Sequence, residues 1–197
     1  MEAAGGGAHA GAVPSLLRAG LIAVALLLAT EGARADVPVT FQAPHAARFP
    51  AASLDEALAR SVDARITAAT ITSTAELLRF ALDVAASDLR FGLAHPTSLR
   101  FGVTEREGNC IEYAHLFATV FNRAAARKHV AARAWVVHSD ARVLGQKLPV
   151  RGWGDHDWAL VVPGDPREKR LFVDPTFYDF GLDWDITSKV SGVVKIP

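Results

Sequence analysis

The order of local signals along this 197-residue chain predicts an α+β fold, with N-terminal helices followed by strands and a cysteine-bearing helix packed on an antiparallel β-sheet. Three observations predict it. Two patterns of the form S/T-x-x-E, Ser53-Leu-Asp-Glu56 and Ser73-Thr-Ala-Glu76, each stand ahead of a run with helical spacing. A third helical run starts at Cys110 and carries Tyr113, Ala114, Phe117, Phe121 and Ala124 on one face. After Lys128 the period changes. Val130–His138, Asp157–Val162 and Arg170–Val173 are of strand length with no helical pattern between them, which speaks against βαβ units and a parallel sheet.

Taken in order, the first segment is a leader. Ala19–Ala29 is apolar and follows Arg18, and Ala33-Arg34-Ala35 supplies small residues for cleavage, so residues 1–35 read as a secretory signal peptide. Its apolar stretch is well short of the roughly 20 residues a bilayer span needs. The mature protein is therefore expected to be exported, periplasmic or extracellular, with no membrane span. Residues 36–52 contain Pro38, Pro44 and Pro50 and read as an extended, loosely held lead-in. Residues 53–197 are expected to form one domain.

Within that domain the first helix runs through Ile66, and the second buries Leu77, Phe80, Leu82 and Val84. Phe91–Gly108, with Gly92, Pro96, Gly102 and Gly108, reads as an irregular connection. The third helix ends near Arg127-Lys128, whose charges suit a helix C-terminus. Between Ser139 and Asp155 lies an insertion bearing Gly145, Gly152, Trp153 and Gly154, expected to border a cleft.

Bulk charge selects no partner. Lys plus Arg and Asp plus Glu both number 21, so nucleic acid and anionic membrane are not indicated. Cysteine usage is more telling. Cys110 is the only cysteine, so an exported chain cannot use it for an internal disulfide. It follows Gly108-Asn109 at the mouth of the third helix, where unpaired N–H groups and the positive end of the macrodipole favour thiolate over thiol. That location points to a nucleophile.

A nucleophilic thiol needs a base and a group that orients the base. Pro163-Gly-Asp-Pro-Arg167 is a strong turn between the last two strands; if it centres on Asp165, paired residues have numbers summing to 330. His156 and Asp174 satisfy that sum, so imidazole and carboxylate should face each other across the hairpin. Asp174 also suits a turn-forming role before Pro175. The Cys110 backbone N–H is one natural oxyanion donor, and Asn109 and Arg106 are candidates for a second.

Other polar residues take lesser parts. His115 lies about 140° round the helix from Cys110 and is expected to be structural. His138 ends a strand near the cleft and is a rival base, although no turn predicts a carboxylate partner for it. Trp135 and Trp158 are expected in the core, and Trp153 at the substrate cleft. Asp179, Asp183 and Asp185 fit no EF-hand spacing, and neither metal nor cofactor is expected.

The run Gly108-Asn-Cys-Ile-Glu-Tyr-Ala114, then His156-Asp-Trp158, then Phe172-Val-Asp-Pro-Thr176 resembles the Cys, His and Asp motifs of the transglutaminase-like superfamily. The resemblance covers about residues 70–180. It implies a papain-like thiol fold with a Cys110, His156 and Asp174 triad. The chain lacks the added domains of protein-crosslinking members, so the resemblance implies hydrolysis of a peptide or isopeptide bond in a peptide or protein substrate through a thioacyl-enzyme. Two alternatives stay open: an acyltransferase using the same triad, and a non-catalytic module that binds an envelope peptide or protein.

Overall fold

The computed structural model describes residues 39–42, 46–92, 96–102, 106–143, 146–147 and 155–197. The expected leader and Trp153 lie outside them. Residues 36–197 form one compact unit.

Helix starts follow the side chains that can satisfy the first backbone N–H groups. The first helix, Glu56–Ala68 (α1), is capped by Asp55, whose carboxylate accepts from the Leu58 N–H at 2.7 Å. The expected capping residue Ser53 is instead in a short strand, Ser53–Leu54 (β2). Its N–H donates to the Leu99 carbonyl and its strand pairs in parallel with Arg100–Phe101 (β4). The ladder removes Ser53 from helical geometry, so the cap moves two residues on. At Thr74–Asp88 (α2) the expected box forms, with Ser73 and Glu76 bonding reciprocally. The third helix, Cys110–Lys128 (α3), has a capping box of its own, Asn109 with Glu112, and ends at His129 in the left-handed region, φ 55°.

The main sheet is built around Ala132–Val143 (β6). It pairs antiparallel with Asp155–Pro163 (β8) on one side and with Val39–Gln42 (β1) on the other. Leu171–Val173 (β9) extends the sheet beyond β8, and Val190–Ser191 (β10) adds a parallel strand beyond β1. Gln146–Lys147 (β7) also pairs with β6. The class is mixed α+β, as expected, with antiparallel pairing dominant and one parallel edge.

Alternation along β6 and β8 sorts side chains into two layers. Ala134, Val136, Ala159, Val161 and Val173 join the helices in one cluster, against Leu116, Phe117, Val120 and Phe121 of α3. Trp135, Val137, Trp158 and Leu160 face the other way, toward Phe41 and Ile186. Both strand tryptophans are buried, as expected.

Three expectations need correction. The lead-in is extended but firmly held: β1 is a sheet strand, Arg48 and Val136 exchange backbone hydrogen bonds, and the Ala47 N–H reaches the Lys195 carbonyl. The Phe91–Gly108 region is not wholly irregular, because Leu89–Phe91 (β3) pairs in parallel with Arg106–Gly108 (β5), besides β4. These strands are too short for alternation to declare itself. Finally, the β8–β9 register pairs Ala159 with Val173 and Leu160 with Phe172, so paired numbers sum to 332. The turn spans Asp165–Glu168, with Pro166 second and the Glu168 N–H on the Asp165 carbonyl at 3.0 Å. A slip of two residues keeps every side chain on its expected face, where a slip of one would have reversed them.

Candidate active site

Asp174 follows β9 and caps the short helix Pro175–Asp179 (α4). Its Oδ1 accepts from the Thr176 and Phe177 N–H groups at 3.0 and 3.2 Å, and its Oδ2 meets His156 Nε2 at 2.6 Å. The turn-forming and imidazole-orienting roles thus coexist, one on each carboxylate oxygen. Proline at the first helical position suits this cap, since it has no N–H to satisfy. The carboxylate is fully buried.

His156 lies at the start of β8. By register its cross-strand neighbour would be Thr176, which makes Asp174 the diagonal neighbour on the same face. The imidazole stacks on Phe41 with centroids 5.3 Å apart and meets Phe177 at 5.9 Å, leaving the side chain 15% exposed. Below it, Trp158 donates to Ser139 Oγ, and Ser139 donates to the His156 carbonyl at 3.2 Å. Burial disfavours the charged ring, but the Asp174 carboxylate and then Cys110 outweigh it and hold the pKa of His156 well above 6.5. The ring also shares a hydrogen bond with the Cys110 side chain. With Nε2 committed to Asp174, Nδ1 is the nitrogen left for sulfur.

Cys110 is the first residue of α3, free and partly exposed. The cap beneath it is elaborate. Asn109 Oδ1 accepts from the Ile111 N–H at 3.0 Å, Glu112 accepts from the N–H groups of Asn109 and Ser98 at 2.8 and 2.9 Å, and Glu112 is fully buried. Tyr113, one turn on, donates to Asp179 at 2.6 Å and so fastens α4 to α3. The structure therefore brings Cys110, His156 and Asp174 together from the start of a helix, the start of a strand and the end of a hairpin.

The expected second oxyanion donors fare differently. The Asn109 side chain accepts from the Ile111 N–H in the cap and donates one amide N–H to Thr97 Oγ1 at 3.3 Å. Arg106 is placed by its backbone in β5, opposite Leu89. Asp179 and Asp185 hold internal hydrogen bonds, to Tyr113 and the Thr187 N–H, and among the described residues no cluster has the make-up of a metal site.

His115 is buried, and its Nδ1 accepts from the Ala51 N–H at 2.9 Å. Burial above all, then the Arg48 charge, lowers its pKa against the opposing pull of Asp157, so it serves as a neutral structural acceptor. His138 has a carboxylate partner that no turn predicts. Its Nδ1 meets Asp157 at 2.5 Å across the β6–β8 pair, and Asp157 also receives Arg48 at 2.5 Å.

Sequence reasoning missed Phe41, Phe177, Arg48 and Asp157. The alternation of Val39-Thr-Phe-Gln42 was the available signal for Phe41, masked by flanking prolines. Nothing local marks Arg48, because its partners are 88 and 109 positions away in sequence. Compared with known proteins, the chain matches no protein-family model, no curated protein and no solved structure.

Proposed function

We propose that this protein is an exported, transglutaminase-like thiol hydrolase that cleaves amide bonds in a peptide or protein through a thioacyl-enzyme. The observation that carries the reading is the chain of contacts from Cys110 through the His156 ring to the buried Asp174 carboxylate. A carboxylate on one ring nitrogen fixes the ring so that the other exchanges a proton with sulfur. In the resting pair the imidazolium faces a thiolate, the attacking form.

Attack on the carbonyl carbon gives a tetrahedral oxyanion, which the Cys110 backbone N–H at the helix start is suited to receive. The imidazolium then protonates the leaving amine, and water hydrolyses the thioester.

The test is a panel of fluorogenic peptide amides and isopeptides run with the protein and its Cys110→Ser variant. Turnover abolished by the substitution, with a thioacyl adduct on Cys110 by mass spectrometry, is the expected result. Turnover that survives the substitution would refute the reading.

A further inference from the structure

We infer that Phe41 is a positioning residue for His156: its ring sets the angle of the imidazole toward Cys110 and favours the charged form, so that activation of the thiol depends on a side chain from the lead-in strand β1. The inference rests on the thiol-hydrolase reading above and extends it.

The first support is what the other anchors leave free. Ser139 holds the His156 carbonyl, and Asp174 holds the far tip of the ring at Nε2. The outer torsion of a histidine side chain has broad wells, so with these two anchors alone the ring can still turn about its long axis, which swings Nδ1, the nitrogen left for sulfur. A flat neighbour removes that freedom. Phe41 lies 5.3 Å from the imidazole between centroids with the two planes 24° apart, an offset stack. Phe177 adds a tilted contact at 5.9 Å and meets Phe41 at 6.1 Å. Because the three separations are nearly equal, the rings form a triangle, with both phenyls bearing on the same side of the imidazole.

The second support is that Phe41 is itself fixed. It pairs with Ala141 of β6 on one side and Val190 of β10 on the other, Ser191 Oγ donates to its carbonyl at 3.2 Å, and it is 1% exposed. Phe177, by contrast, hangs from Asp174 itself, since its N–H donates to Asp174 Oδ1. Phe41 is therefore the ring contact whose position is set independently of Asp174.

The third support is electrostatic. The charged groups acting on the His156 ring are Asp174 and Cys110. Its chain neighbours Asp155 and Asp157 project from the opposite face of β8, where they meet His138 and Arg48. With the His156 side chain 15% exposed, little water is left to solvate a charge on it. The face of a phenyl ring is negative and attracts a cation stacked on it, and in a desolvated contact the attraction corresponds to about tenfold in proton affinity.

The experiment has two arms. In Cys110→Ser protein, where no thiol titrates with the ring, the His156 Cε1–H is followed by NMR against pH with Phe41, with Phe41→Leu, and with Phe41→pentafluorophenylalanine, which keeps the ring and reverses the charge of its face. In both variants His156 should lose its proton about tenfold more readily, while His138, on the other face of the sheet, should titrate unchanged. In protein that keeps Cys110, Phe41→Leu should slow iodoacetamide labelling about fivefold at pH 6 and leave it unchanged at pH 9, where the thiolate forms without a partner. An unchanged His156 titration in either variant would overturn the inference, and so would labelling of Phe41→Leu at the wild-type rate at pH 6. Wild-type labelling that is slow at pH 6 and indifferent to His156→Ala would overturn the thiol-hydrolase reading itself, and this inference with it.

Discussion

Replacing Asp174 by Asn changes one atom at the least accessible corner of the site. The remaining oxygen can keep the Thr176 and Phe177 N–H groups, and Asn caps helices about as well as Asp. The new amide, however, points N–H groups at His156 Nε2, where the imidazolium needs an acceptor. At about 4 Å and an effective dielectric near 20, two opposite charges attract by about 4 kcal/mol. The net value of a hydrogen bond to a charged group is smaller, about 1.5–3 kcal/mol, because water competes in the unfolded chain. Taking about 2 kcal/mol, alkylation of Cys110 by iodoacetamide at pH 6 should slow about 30-fold. Stability should respond in step. The folded-state pKa of His156 is raised, so its pairing contributes fully below about pH 6.5 and is lost as pH climbs through the folded value. The variant should melt about 4–8 °C below wild type at pH 6, and the gap should narrow toward pH 10. Equal labelling rates at pH 6, or a melting deficit independent of pH, would refute the reasoning.

Phe41→Ala empties a position that is 1% exposed and stacked on the His156 imidazole, so it should cost about 3–5 kcal/mol in urea unfolding, whereas Val193→Ala, at a position 81% exposed, should fall within about 0.5 kcal/mol of wild type. Glu112→Ala orphans the N–H groups of Asn109 and Ser98 beneath Cys110; a loss of about 2–4 kcal/mol and slower Cys110 labelling are expected from calorimetry and alkylation together. In a pH–rate profile of kcat/KM, the basic limb belongs to deprotonation of His156 and should lie well above 6.5, because Asp174 and Cys110 outweigh the effect of burial on the ring. A basic limb near 6.5 would contradict that assignment.

Much of the site was legible because its signals are local. Cys110 could be placed at a helix start from Gly108-Asn109 and the apolar spacing after it, and the hairpin turn brought His156 and Asp174 to one face. The turn centre was misjudged by one residue, since Asp165 opens the turn instead of sitting at its centre; parity protected the conclusion. The Ser53 cap failed because a two-residue ladder with β4 claims that backbone, a long-range event that propensity does not encode. The partnership of His138 and Asp157 depends on the β6–β8 register, and the intervening Ser139–Asp155 segment offers no short turn from which to count it. The lead-in was misjudged for a related reason. Proline-rich extended chain reads as loose until a sheet edge and a buried carboxylate are there to hold it.

The most direct test of the account is the pH profile of Cys110 alkylation by iodoacetamide, from pH 4 to 10, in wild type and His156→Ala. A thiolate paired with imidazolium should label in the wild type at pH 6 within about tenfold of its rate at pH 9, while the variant retreats to the behaviour of a free thiol, with a midpoint near 8.5. Slow labelling in acid that is indifferent to His156 would contradict the ion pair and shift the weight to a binding module that keeps this arrangement without using it.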